Sequence, residues 1–148
     1  KQHNSLDSLP YGAKVGTSSL RREFQLKMFR PDLKIVPLRG NLDTRMNKLE
    51  AGDLDGIVLA AAGLKRLGLD YRISQLIPTD ISLPAAGQGA IAIEILKQAD
   101  SRAAEILRTL NHDKTMAEVM LERRVAADLG ASCQIPLAVC SNLPVHCV

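Results

Sequence analysis

Residues 1–12 are polar and rich in turn formers, and they read as a linker. Apolar blocks of changing period follow. "AKVGTS" (13–18) predicts a short strand closed by Gly16. "SLRREFQLKMFR" (19–30) places Leu20, Phe24 and Met28 at helical spacing, which predicts that these three form the packed face of a helix. Ser18 or Ser19 is its N-cap, and Pro31 ends it. "LKIVPLR" (33–39) predicts a second strand. "NLDTRMNKLEAG" (41–52) predicts a second helix, with Asn41 as N-cap, Leu42, Met46 and Leu49 as its stripe, and Gly52 just past its end. "GIVLAAA" (56–62) is an unbroken apolar run of strand length, as expected for a strand covered on both faces, and "GLKRLGL" (63–69) begins a third, short helix.

Strands alternating with helices over short connections predict an α/β fold with a parallel-type sheet and flanking helices. Beyond it, "LIPTDISLP" (76–84) is a connector with room for a strand, and "GQGAIAIEIL" (87–96) is a further apolar run. Two more helices are predicted, at about 101–110 and about 113–129. The second takes Asp113 as N-cap and buries Met116, Val119 and Met120. The ending "GASCQIPLAVCSNLPVHCV" (130–148) is strand-like but short, and no internal repeat or low-complexity tract is visible.

Composition narrows the chemistry. The chain has 148 residues, 46% apolar, 3% aromatic and without Trp, so its core is built from aliphatic side chains. The net charge of +3 is too small for a nucleic-acid footprint, and few aromatics are present to stack on bases. Charge is uneven: residues 1–90 hold 13 Lys/Arg against 9 Asp/Glu, and residues 91–148 hold 6 against 7. No apolar run approaches the roughly 20 residues that span a bilayer, and the first residues lack the apolar core of a secretory signal. Cys133, Cys140 and Cys147 recur every seven residues. Their odd number points to reduced thiols of a cytosolic-type compartment, and their spacing is not that of a metal site.

The arginines carry the strongest signal. Ligands of parallel α/β sheets bind beyond the carboxyl ends of the strands, where helix N-termini attract anions. Arg21 and Arg22 follow the first strand, Arg39 and Arg45 the second, and Lys65 and Arg66 the third, with Gly16, Gly40 and Gly63 at the turns. Two cations in the first turn of a helix oppose its dipole. Their placement makes sense where a polyanion sits, because arginine pairs bidentately with carboxylate or phosphate. Singly, each arginine is better read as part of a solvated helix face, and it is the three junctions in register that weaken that reading. The glycines form neither GxGxxG nor a P-loop, so no nucleotide is indicated.

"GASCQIP" (130–136) is the second feature. Gly130, Ala131 and Ser132 leave the sulfur of Cys133 sterically open. A small residue packed at a turn is one explanation. A thiol at the end of the preceding helix lacks the activation of a repeated nucleophile, so a permanent covalent attachment is the other. Cys140 follows Val139 in an apolar run and is expected to be packed.

With these segments in place, the chain resembles the porphobilinogen deaminase (hydroxymethylbilane synthase) family. The matching stretches are "VGTSSLRR" (15–22), "LRGNLDTR" (38–45), "LAAAGLKRLGL" (59–69), "LPAAGQGAIAIE" (83–94), "ERR" (122–124) and "GASCQIP" (130–136), in the family's order. The resemblance implies a transferase of porphyrin and heme biosynthesis. It joins four porphobilinogen units into the linear tetrapyrrole hydroxymethylbilane and releases ammonia at each joining. It also implies a dipyrromethane cofactor held by a thioether to a cysteine, here Cys133. The acetates and propionates of that cofactor and of the growing chain are implied to pair with Arg21, Arg22, Arg39, Arg45 and Arg66, beside Thr17, Ser19, Asn41 and Gln88. No metal, a cytoplasmic location and a monomer at full length are implied as well.

By the same resemblance, 13–83 form the second, cofactor- and substrate-binding domain, with the architecture of a type II periplasmic-binding-protein lobe. Residues 84–110 return to a first domain, and 111–148 begin a small α+β third domain. The chain is therefore expected to be a central portion that lacks most of the first and third domains. The family's catalytic aspartate lies in the first domain, so no catalytic acid is assigned here, and the portion alone is expected to be inactive. The rival expectation is a non-enzymatic lobe that binds polycarboxylates at the same junctions.

Overall fold

Three short strands pair in parallel: β1 (Lys14–Gly16), β2 (Lys34–Val36) and β3 (Gly56–Ile57), in the order β2-β1-β3. In this computed structural model, which describes residues 3–97, 101–131 and 135–141, Val15 stands opposite Ile35 on one side and Gly56 on the other. α1 (Leu20–Phe29) connects β1 to β2, and α2 (Leu42–Glu50) connects β2 to β3. β2 and β3 flank β1 on opposite sides, so right-handed crossovers carry α1 and α2 to opposite faces of the sheet. α3 (Ala61–Arg66) and a 3₁₀ turn (Asp70–Arg72) follow. The fold is α/β, as the alternation predicts, with each strand shorter than its apolar run.

Pleating along β1 divides the two layers. Val15, 1% exposed, joins Leu6, Ala13, Leu33 and Leu26 of α1 in the core, with Ile35 and Val58 packed against them. Gly16 faces the other layer. A Cβ there would lie 2.8 Å from Leu54 Cδ1 and 3.0 Å from Leu38 Cδ2, so this approach of strand to leucines requires glycine. Met46 of α2 is buried and Leu42 and Leu49 are partly so, which is the predicted stripe. Asn41 caps α2, its side-chain oxygen accepting from Thr44 N at 2.9 Å.

α1 corrects the sequence expectation. Phe24 is 57% and Met28 84% exposed, whereas Leu26 and Arg21 are buried. The helix lies on the sheet through Leu26 and through the aliphatic stems of arginines whose charged heads reach carbonyl oxygens. A hydrophobicity pattern scores such stems as polar.

Residues 3–12 also differ from the expected linker. Leu6 belongs to the core, and its N–H donates to Gln75 Oε1 at 2.6 Å. Arg30, just after α1, donates to the carbonyls of Leu6 (3.0 Å), Asp7 (3.4 Å), Leu9 (3.3 Å) and Pro10 (3.4 Å). Asp32 holds that guanidinium in place, accepting from Arg30 Nε and Nη2 at 2.7 Å each and from Gly12 N at 3.0 Å. The Arg30 bonds and then the Gly12 amide keep the Asp32 carboxyl well below the usual carboxylate range. A carboxylate with a depressed folded pKa stabilises above its unfolded value of about 4, and loses that contribution as pH falls towards the folded value. Asp32→Asn is therefore expected to lower the urea midpoint at pH 6, with the gap narrowing once pH falls below about 4. A gap that stays constant with pH would contradict this role.

The described chain forms two compact units, Lys1–Leu83 with Ala131–Ala138, and Pro84–Gly130 with Val139–Val148. The second unit contains α4 (Ser101–Arg108) and α5 (Asp113–Asp128). His112, rather than Asp113, caps α5, and Asp113 sits in the first turn, where its charge complements the dipole. Met116 (51% exposed) and Met120 (60%) face outward and Val119 is partly buried, whereas Glu122 is 7% exposed. Residues 87–96 and the described part of 130–141 contain no strand. Ile91, Ile93 and Ile95 keep a strand's alternation, but a strand also needs a partner edge. No helix among the described residues is long and apolar enough to cross a membrane.

Candidate anion-binding site

The order β2-β1-β3 places a reversal of strand order at β1, the position where parallel α/β sheets open a crevice at the strand carboxyl ends. Thr17 leaves β1 with its N–H bonded to Val36 O at 3.0 Å, and Val58 leaves β3 bonded to Gly16 O at 3.1 Å. Thr17 is buried, and its Oγ1 accepts from Ser19 N at 3.2 Å. Ser19 caps α1, accepting from Arg22 N at 3.4 Å. Ser18 Oγ accepts from Leu38 N at 2.9 Å and so ties the β1–α1 loop to the β2–α2 loop. These small hydroxyls consume backbone donors and fix the loops from which the arginines project.

Arg22 reaches from the first turn of α1 to the carboxyl end of β3. Its Nη1 donates to Val58 O at 3.1 Å, and it makes no ion pair among the described residues. Burial lowers its pKa, and the positive charges of Arg21 and Arg45 lower it further. Arg21 and Arg45 thus both lie close enough to Arg22 for their charges to act on it. Arg21, 8% exposed, donates through Nη1 to Leu83 O, and burial lowers its pKa. Gln25, one turn on, donates to the same oxygen at 3.3 Å and accepts from Leu83 N. Arg45 Nε donates to Gly40 O at 2.8 Å. Gly40 has φ +117, a conformation that favours glycine, and this turn brings its carbonyl within reach of Arg45.

The described bonds of Arg22 and Arg45 go to carbonyls rather than carboxylates, so no described carboxylate neutralises their charge. Clustered in this way they repel one another, and a multivalent anion converts that repulsion into attraction.

A family profile described as "Porphobilinogen deaminase, dipyromethane cofactor binding domain" matches residues 1–105. The chain belongs to the porphobilinogen deaminase family. The porphobilinogen deaminase of Paraburkholderia phytofirmans is 57% identical over 136 residues, covering 92% of this chain and 40% of that protein. That of Paraburkholderia phymatum is 56% identical over 137 residues, covering 93% and 42%. The chain therefore spans about two fifths of the length of these relatives.

The residues expected from the deaminase resemblance are distributed as follows. Arg21 and Arg45 both act electrostatically on Arg22, and Thr17, Ser19 and Asn41 hold the turns from which these arginines project. Arg39 is exposed on the β2–α2 loop. Arg66 is the last residue of α3, not at its N-terminus, because α3 begins at Ala61 and Gly63 lies within it. Gln88 belongs to the second unit, in a turn where its N–H donates to Ala85 O at 3.0 Å. Cys133 lies outside the described residues, and Cys140, expected to be packed, is an exposed free thiol. Gln25 escaped the sequence reasoning, and Ser18, offered there as an N-cap alternative, instead bridges to Leu38 N. Gln25 follows Arg21 by one helical turn, and that spacing was the available signal.

Proposed function

We propose that this chain is the cofactor-binding portion of a transferase that condenses four porphobilinogen units into hydroxymethylbilane. Arg22, with Arg21 and Arg45, holds carboxylates of a dipyrromethane joined by a thioether to Cys133, and Arg39, Arg66 and Gln88 contribute further contacts. The observation that carries the proposal is Arg22: partly buried, between two like charges, with its described bond going to a backbone carbonyl. Acetate and propionate groups are the ligands such a donor set fits. When bound, the dipyrromethane supplies the pyrrole end on which the tetrapyrrole grows. The residues of this chain orient its acid groups and neutralise their charge. Ile135–Ala138, directly after the Cys133 loop, group with the unit that contains the arginines, which supports delivery of the attached group to that unit.

A full-length enzyme carrying this segment is expected to release ammonia from porphobilinogen and to accumulate a linear tetrapyrrole. Binding of polycarboxylates with no ammonia release would overturn the proposal in favour of a non-enzymatic lobe.

A further inference from the structure

Glu122 is the buried acid among the described residues, 7% exposed in the middle of α5. Its two carboxylate oxygens serve two separate segments of the second unit. Oε2 accepts from Gly87 N at 2.6 Å, and Oε1 accepts from Ser141 N at 2.8 Å. The Ser141 hydroxyl adds a bond to Glu118 O at 3.1 Å. Gly87 has φ +70, and a Cβ there would meet Val119 Cγ1 at 3.4 Å, so the turn lies directly on α5. Gln88 is the next residue, and its Oε1 accepts from Ala85 N at 3.3 Å within the same turn. Ser141 stands eight residues after Cys133.

We infer that Glu122 is a positioning residue whose carboxylate fixes both the turn presenting Gln88 and the segment that follows the Cys133 loop. The roles of Gln88 and Cys133 in this inference rest on the proposed function; the clamp itself does not. An ionised carboxylate only accepts, which suits two N–H donors arriving from different directions. The isosteric amide has one accepting oxygen and one donating NH₂ group. Glu122→Gln therefore sets a donor against a donor on one side and releases either Gly87 or Ser141, with little change in packing.

The test uses a full-length enzyme carrying this segment and two readouts: amide exchange at Gly87 and Ser141 by NMR, and the share of folded molecules bearing an added mass on Cys133. In folded Glu122→Gln, at least one of the two amides is expected to exchange about tenfold faster, for the loss of about one charge-assisted bond. Occupancy of Cys133 is expected to fall about tenfold with it. A residue that served stability alone would lower the melting temperature without changing occupancy among folded molecules. Both amides at wild-type exchange rates, or wild-type occupancy, would overturn the inference. If Glu122→Gln does not fold, Gly87→Ala displaces the turn by strain at its positive φ and leaves the Ser141 bond intact; a severalfold loss of occupancy supports the inference, and wild-type occupancy overturns it. A wild-type enzyme with protected amides and no added mass would overturn the proposed attachment and leave the clamp to be decided by exchange alone.

Discussion

Arg22→Ala in a full-length enzyme carrying this segment is expected to lower kcat/KM for porphobilinogen by about 10- to 100-fold. That is the size of a lost charge-assisted hydrogen bond of about 1.5–3 kcal/mol. The protein without ligand is expected to change little in stability. Alanine forfeits the bond to Val58 O, worth about 1 kcal/mol, and also relieves the repulsion from Arg21 and Arg45. Arg22→Lys keeps the charge and loses the fork, so it recovers only part of the loss. Raising the salt concentration should weaken the wild type more than Arg22→Ala, because an exposed part of the cluster is screened. An Arg22→Ala enzyme with wild-type kcat/KM and collapsed stability would make Arg22 a structural strut between α1 and β3.

Cys133→Ala is expected to leave protein of unmodified mass and to abolish tetrapyrrole synthesis, whereas Cys140→Ala keeps the added mass and activity. The sequence offers two grounds for choosing Cys133: its neighbours Gly130, Ala131 and Ser132 are small, and a thioether forms once and needs no adjacent base. A third ground, that Cys140 is packed away, is withdrawn by the structure, where its thiol is exposed. Accessibility therefore does not separate the two cysteines. Their described neighbours differ: Ile135–Ala138 group with the arginines, and Val139–Ser141 with α5. An added mass that persists in Cys133→Ala and vanishes in Cys140→Ala would reverse the assignment.

The parallel sheet was legible because its signals are local. Gly16 ends β1, Asn41 caps α2, Gly52 follows it at φ +80, and each apolar run has strand or helix length. The buried face of α1 was not legible, since Leu26 packs there beside arginine stems and the apolar triplet Leu20, Phe24 and Met28 faces away. Periodicity counts side chains as apolar or polar, and an arginine that buries its stem and bonds its head to Val58 O is both. The same limit hid Glu122, which reads as one charge in "ERR" and is a buried acceptor for two distant amides. The Ile91–Ile95 run shows the converse: its alternation is clear, but alternation without a partner edge makes no strand. Of the candidate site, Arg21, Arg22 and Arg45 were legible from their places after strands. Arg66 was misplaced because α3 starts two residues earlier than its glycine implied.

Localising the attached group tests the account most directly. Trypsin cuts after Arg124, and no lysine or arginine follows to Val148, so one peptide carries Cys133, Cys140 and Cys147 together. Fragment ions must therefore assign the modification within that peptide, from a full-length enzyme that converts porphobilinogen. The account predicts an added dipyrromethane mass on fragments that contain Cys133 and on none that contain only Cys140 or Cys147. An active enzyme whose Cys133 fragments carry no added mass would contradict it.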